Sequence, residues 1–87
     1  MIRTVLVDDQ AIVRTGVARI LGAEDEFEVV GECSDGRECL DAVAANQPDV
    51  VVMDIRMPVM DGITATRRLA DQPEPPPVLA LTTFDED

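Results

Sequence analysis

Apolar and polar positions fall in alternating blocks along the chain. Ile2 to Val7 is a short apolar run that stops at Asp8 and Asp9, the pattern of a buried strand. From Ala11 to Leu21 the residues Ile12, Val13, Val17, Ile20 and Leu21 recur at helical spacing, and Gly22 is placed to end that helix as a C-cap. Phe27 to Glu32, with the β-branched Val29 and Val30, predicts a second strand. Gly36 to Ala45, built on Cys39, Leu40, Val43 and Ala44, predicts a second helix. The segment Asp49 to Met53 carries Val50, Val51, Val52 and Met53 in succession, too apolar for a sheet with one wet face, so cover on both sides is expected. A turn-rich stretch, Met57 to Gly62, leads into a third helix, Ile63 to Ala70. Pro73, Glu74, Pro75, Pro76 and Pro77 follow; prolines lack amide donors and push their predecessors toward extended conformations, so this is a stiff connector into a fourth strand, Val78 to Thr82. The order βαβαβαβ predicts a doubly wound α/β domain: parallel strands, right-handed crossovers and helices on both faces.

Composition narrows the chemistry. Of 87 residues, 46% are hydrophobic and 29% charged, which describes a folded chain, though one this short buries little surface and is expected to be marginally stable. No signal-peptide pattern and no membrane-span-length apolar run is present, so a cytoplasmic location is expected. Cys33 and Cys39 are not in CxxC spacing and are expected to be reduced thiols. The net charge of −11 opposes contact with nucleic-acid phosphates or an anionic membrane by this segment. Histidine is absent, which removes Ser-His and Cys-His nucleophilic pairs, imidazole bases and His-containing zinc sites. All seven basic residues are arginine, and there is no lysine.

Carboxylates and hydroxyls are what remain, and they sit at strand ends. Asp8 and Asp9 follow the first strand, Asp54 the third, and Thr82 and Thr83 the fourth. In an open parallel sheet, ligands bind beyond the carboxyl ends of the strands near a topological switch point. Two carboxylates about 4 Å apart repel by roughly 4 kcal/mol at an effective dielectric of 20, so a cluster of three calls for a cation. An all-oxygen donor set with open positions suits Mg²⁺ or Mn²⁺. A central aspartate beside such an ion can act as a nucleophile toward phosphorus. Taken singly, Asp9 also fits a helix N-cap and Asp61 a turn residue, Met53, Met57 and Met60 fit packing, and Arg67 and Arg68 fit a solvated helix face.

The motifs VLVDDQ (5–10), VVMDIRMPVMDG (51–62) and LALTT (79–83), in that order, resemble the receiver domain of two-component response regulators. DIRMPVMDGITATRRL and the ending LTTFDED are most similar to the subgroup with a LuxR-type helix-turn-helix output. The resemblance implies a flavodoxin-like fold with Asp54 as phosphoacceptor for a sensor histidine kinase. Asp8, Asp9, Asp54 and the backbone carbonyl of Arg56 would hold Mg²⁺ or Mn²⁺. Thr82 would be the switch hydroxyl, Thr83 would stand beside the site, and Met57, Pro58 and Gly62 would shape the adjoining loop. Arg14 and Arg19, facing outward on the first helix, would serve kinase docking or oligomerisation.

By the same resemblance residues 1–87 form a partial domain, ending after the fourth strand, without the fourth helix, fifth strand, fifth helix, a phosphoryl-binding lysine or an output domain. Exposed apolar helix surface and an open sheet edge are then expected, with homodimer formation or element exchange between copies. The leading expectation is a regulatory receiver that catalyses at most its own phosphorylation and dephosphorylation. One alternative is a module that only self-associates or binds a partner. Another is an aspartate-nucleophile phosphohydrolase, disfavoured because Arg56 stands where such enzymes carry a second acid.

Overall fold

The computed structural model describes residues 1–54 and 62–81. The elements follow the expected order: β1 (Ile2–Val7), α1 (Ala11–Gly22), β2 (Phe27–Cys33), α2 (Gly36–Asn46), β3 (Val50–Asp54), α3 (Gly62–Ala70) and β4 (Val78–Leu81). All pairings are parallel, in the strand order β2-β1-β3-β4. From β1 the chain steps outward to β2 and then returns across β1 to β3, so the direction of winding reverses between β1 and β3. That reversal is the switch point of a flavodoxin-like sheet.

Side chains alternate across the strands, so each strand feeds two layers. Val5, Val7, Val51 and Met53 join Cys33, Cys39 and Val43, and Ala65 and Leu69 of α3, in one buried core beneath α2 and α3. Leu6 and Val52 face the other way, toward Arg14 and Val17 of α1. Here the expectation of full cover for β3 needs correction. Val51 and Met53 are buried, but Val52 is only half-buried and its neighbour Leu79 is 56% exposed. The reason is position: α1 packs mainly against β1 and β2, so among the described residues it reaches only the near side of β3 at Val52 and leaves Leu79 of β4 exposed. As the resemblance implies, α1 shows apolar surface, with Ile12 89% and Ile20 68% exposed.

The helix ends differ in the same way. Asp35 caps α2, accepting from the Glu38 amide at 2.8 Å, while Glu38 accepts from the Ser34 amide at 2.7 Å. Gln47 closes α2 in the left-handed region at φ 47°, donating to the Val43 carbonyl. By contrast α1 begins at Gln10 with no side-chain cap, and its last residue is Gly22 itself. The expected glycine cap is therefore displaced to Ala23, which turns through ordinary right-handed geometry and has no need of a positive φ.

Cys33 and Cys39 are free and buried, and burial pushes their thiols up to about 11 and about 12 respectively. Both therefore stay protonated and act as small core hydrophobes. Met53 is likewise fully buried in the core, and Arg67 and Arg68 are exposed. No helix among the described residues is long and apolar enough to cross a membrane.

Candidate functional site

The parallel register determines which carboxylates meet. Val7 pairs with Met53 across β1 and β3, so the next residues on the two strands, Asp8 and Asp54, leave the sheet level with each other. The apolar runs hold both strands deep in the layer up to their last residue, and Asp8 is consequently 7% and Asp54 4% exposed. Asp9, one residue further along, is exposed. One carboxylate oxygen from each of Asp8, Asp9 and Asp54 lies within 4.8 Å of the other two. The cluster stands at the carboxyl edge of the sheet, over the reversal between β1 and β3.

Electrostatics bear most heavily on Asp8. Burial, above all, pushes its carboxyl up, and the charges of Asp54 and Asp9 push the same way. The Gln10 amide, donating to Asp8 Oδ1 at 2.8 Å, and the nearby Arg14 guanidinium work against that rise. The helix-cap role considered for Asp9 falls to Gln10, whose side chain makes no cap bond. Asp9 is thus left as a carboxylate in the cluster. Three oxygen donors of this kind, partly dehydrated and mutually repulsive, fit a hard divalent cation of the Mg²⁺ or Mn²⁺ type.

Arg14 departs from the sequence expectation. Rather than facing outward, it folds back over the strand ends and donates from Nη1 to the Asp8 carbonyl at 2.7 Å. A long arginine stem can cross the edge of a helix to reach acceptors on neighbouring strands, which a helical wheel does not reveal. The available signal was spacing: Arg14 stands one turn beyond Gln10, directly over the end of β1. Arg19 is exposed, as expected.

Of the other expected site residues, Gly62 is the first residue of α3. Arg56, Met57, Pro58, Thr82 and Thr83, together with Met60 and Asp61, lie outside the described residues. Leu81, which precedes Thr82, pairs with Asp54 in the sheet. A cleft of about 510 Å³ lies between the end of α2 and the proline connector, lined by Val43, Gln47, Pro48, Gln72 and Pro76. It lies beside Pro48 and Pro76, which precede β3 and β4, and its lining holds no part of the carboxylate cluster.

Comparison with known proteins converges on one family. The model of the response regulator receiver domain matches residues 4–87. The transcriptional regulatory protein LiaR of Bacillus subtilis is 42% identical over 87 residues, all of this chain and 41% of LiaR. A protein-glutamate methylesterase/protein-glutamine glutaminase of Methanosarcina mazei is 35% identical over 84 residues, which are 97% of this chain and 23% of that protein. Among solved structures, the signal receiver domain of the putative response regulator NarL from Mycobacterium tuberculosis superposes with a TM-score of 0.90 at 38% identity. That match covers 98% of this chain and 68% of the other. The chain thus spans well under half the length of the full-length relatives it matches.

Proposed function

We propose, because the chain belongs to the response regulator receiver domain family, that it is a phosphorylation-controlled input module whose phosphoacceptor is Asp54. The observation that carries this reading is the meeting of the Asp8, Asp9 and Asp54 carboxylates within 4.8 Å at the switch point. Asp8, Asp9 and Asp54 would hold Mg²⁺ or Mn²⁺, with the Arg56 carbonyl as a further ligand. The bound ion would offset the charge of the approaching phosphoryl group and of the transition state. A carboxylate oxygen of Asp54 forms a bond to phosphorus as the bond from phosphorus to the donor nitrogen breaks, and the electron pair leaves with the donor imidazole. Burial of Asp54 at the end of β3 restricts the approach of water to the resulting acyl phosphate. Thr82, next to Thr83 in the sequence after Leu81, would then hydrogen-bond a phosphoryl oxygen and bias a two-state surface, and Met57, Pro58 and Gly62 would shape the adjoining loop.

The partner supplying phosphate would be a sensor histidine kinase in the cytoplasm. The output would be transcriptional, through a DNA-binding module of the LuxR type and not through this acidic segment. The matched region is common to a named transcriptional regulator and a named methylesterase. That supports reading it as a shared input and not as either output. Self-association of two copies is a second reading, favoured by the exposure of Ile12 and Ile20 on α1 and of Leu79 on β4.

Intact mass after incubation with a small phosphodonor tests the leading reading. A single phosphoryl adduct is expected that requires Mg²⁺ and is lost in Asp54→Asn. An adduct that persists in Asp54→Asn, or no adduct on a folded chain, would remove Asp54 as the acceptor. Sedimentation of the same samples reads self-association separately.

A further inference from the structure

One side chain, Arg14, links α1 to the strand ends that carry the site. No residue of α1 is buried, and its N-cap side chain makes no hydrogen bond to the helix. Half-buried Val13, Val17 and Leu21 seat α1 on the sheet, whereas Arg14 reaches the segment 8–10 directly through a hydrogen bond. Its Nη1 holds the Asp8 carbonyl at 2.7 Å, and its Nε lies 3.5 Å from Glu32 Oε1 near the end of β2. The Nε contact lacks hydrogen-bond geometry and leaves that buried atom otherwise unpaired, so the guanidinium is held mainly through Nη1. Asp8 is thus held at three points: its amide donates to the Cys33 carbonyl at 3.0 Å, its carbonyl accepts from Arg14, and its Oδ1 accepts from the Gln10 amide. A planar guanidinium, which presents several donors in fixed directions, suits this span between two strand ends better than a lysine ammonium does.

We infer that Arg14 is a positioning residue for the cation site: by clamping the Asp8 carbonyl and bridging toward Glu32 it sets the spacing of Asp8 and Asp9 against Asp54. The inference rests on the reading of this cluster as a Mg²⁺ site. Charge alone makes the opposite prediction, because a guanidinium beside a cation site repels the cation and its removal should tighten binding. A group that orients a ligand has the reverse effect, and loss of such outer partners typically weakens metal affinity by about 10- to 100-fold. The sign of the change therefore separates positioning from simple electrostatics.

The experiment is calorimetric titration of the full chain with MgCl₂, with melting followed by circular dichroism, for wild type, Arg14→Met, Arg14→Lys and Asp54→Asn. Arg14→Met is expected to weaken Mg²⁺ binding about tenfold while remaining folded. Arg14→Lys, which keeps the charge but reaches fewer acceptors, should fall between it and wild type. Unchanged or tighter binding by Arg14→Met overturns the inference. Loss of the fold in that variant, with wild-type affinity in Arg14→Lys, overturns it too, as does unfolding of both, since Arg14 would then hold the helix and not the site. Wild type against Asp54→Asn reports on the cation reading itself: binding that ignores Asp54 removes that reading, whichever way the Arg14 variants behave.

Discussion

The two faces of the sheet are built by different means. Beneath α2 and α3, Val5, Val7, Val51, Met53, Cys39, Val43, Ala65 and Leu69 form a dry layer in which each is at most 4% exposed. Over the opposite face, α1 buries none of its residues, and Leu79 of β4 stands 56% exposed. The first layer is fixed by shape and area, the second by partly buried contacts such as Val17 over Leu6 together with a few polar contacts around Asp8. The difference teaches how the site is divided. Asp54 stands at the end of β3, whose alternate residues enter the dry layer, and inherits its rigidity. The positions of Asp8 and Asp9 depend on β1 at one end and on the lightly attached α1 at the other.

Truncation on the two faces should give the largest contrast. Leu69→Ala leaves a cavity in the packed layer and is expected to cost about 2–5 kcal/mol in urea unfolding. Ile20→Ala, on exposed α1 surface, should stay within about 0.5 kcal/mol of wild type. Equal losses would show that Ile20 is covered in solution and that the two faces are more alike than the structure makes them.

The helix caps sharpen the contrast at a smaller scale. Asp35→Ala leaves the Glu38 amide of α2 without its acceptor and is expected to cost about 1 kcal/mol. In α1, Gly16 lies mid-helix with nothing within 4 Å of where a Cβ would stand. Gly16→Ala should therefore stabilise the protein by up to about 1 kcal/mol, because alanine loses less backbone freedom when the helix forms. A loss instead of a gain at Gly16, read by thermal melting, would mean that this surface packs against something.

The carboxylate cluster was legible because its signals are local. An apolar run that stops at an acid marks the end of a buried strand, and this happens at Val7–Asp8 and at Met53–Asp54. Once the strands are parallel and adjacent, the register that buries both runs also brings the two acids level. What escaped the sequence depends on partners far along the chain. Which face of β3 stays open follows from where α1 sits across the sheet, and Val50 to Met53 reads the same with or without that cover. The direction of Arg14 depends on acceptors that β1 and β2 bring beneath it, whereas helical periodicity alone assigns a polar residue outward. The shift in β1–β2 register, which pairs Thr4 with Val29 but Val5 with Gly31, leaves no mark in residue types either.

The smallest expected effect is a pH dependence that separates the two sides by sign. Ser34 donates to Glu38 from both its hydroxyl and its amide, and those bonds hold the Glu38 carboxyl below its ordinary value of 4.5. A carboxylate with a lowered folded value binds fewer protons in the native state than in the unfolded one, so its stabilisation is complete above 4.5 and fades as pH falls through the lowered value. Asp8 behaves in reverse. Burial raises it above 3.8, so ionisation opposes folding, and stability falls as pH climbs from 3.8 through the raised value. The net acid slope of the wild type mixes the two, but its difference from Glu38→Gln isolates the α2 contribution. Glu38 is fully exposed, so solvent keeps the effect small. Glu38→Gln should be slightly less stable than wild type near neutral pH, with the gap closing below 4.5. A gap that persists unchanged at the acid end would show that the glutamine loses packing or geometry at the Ser34 turn and not charge, and the cap of α2 would then owe little to ionisation.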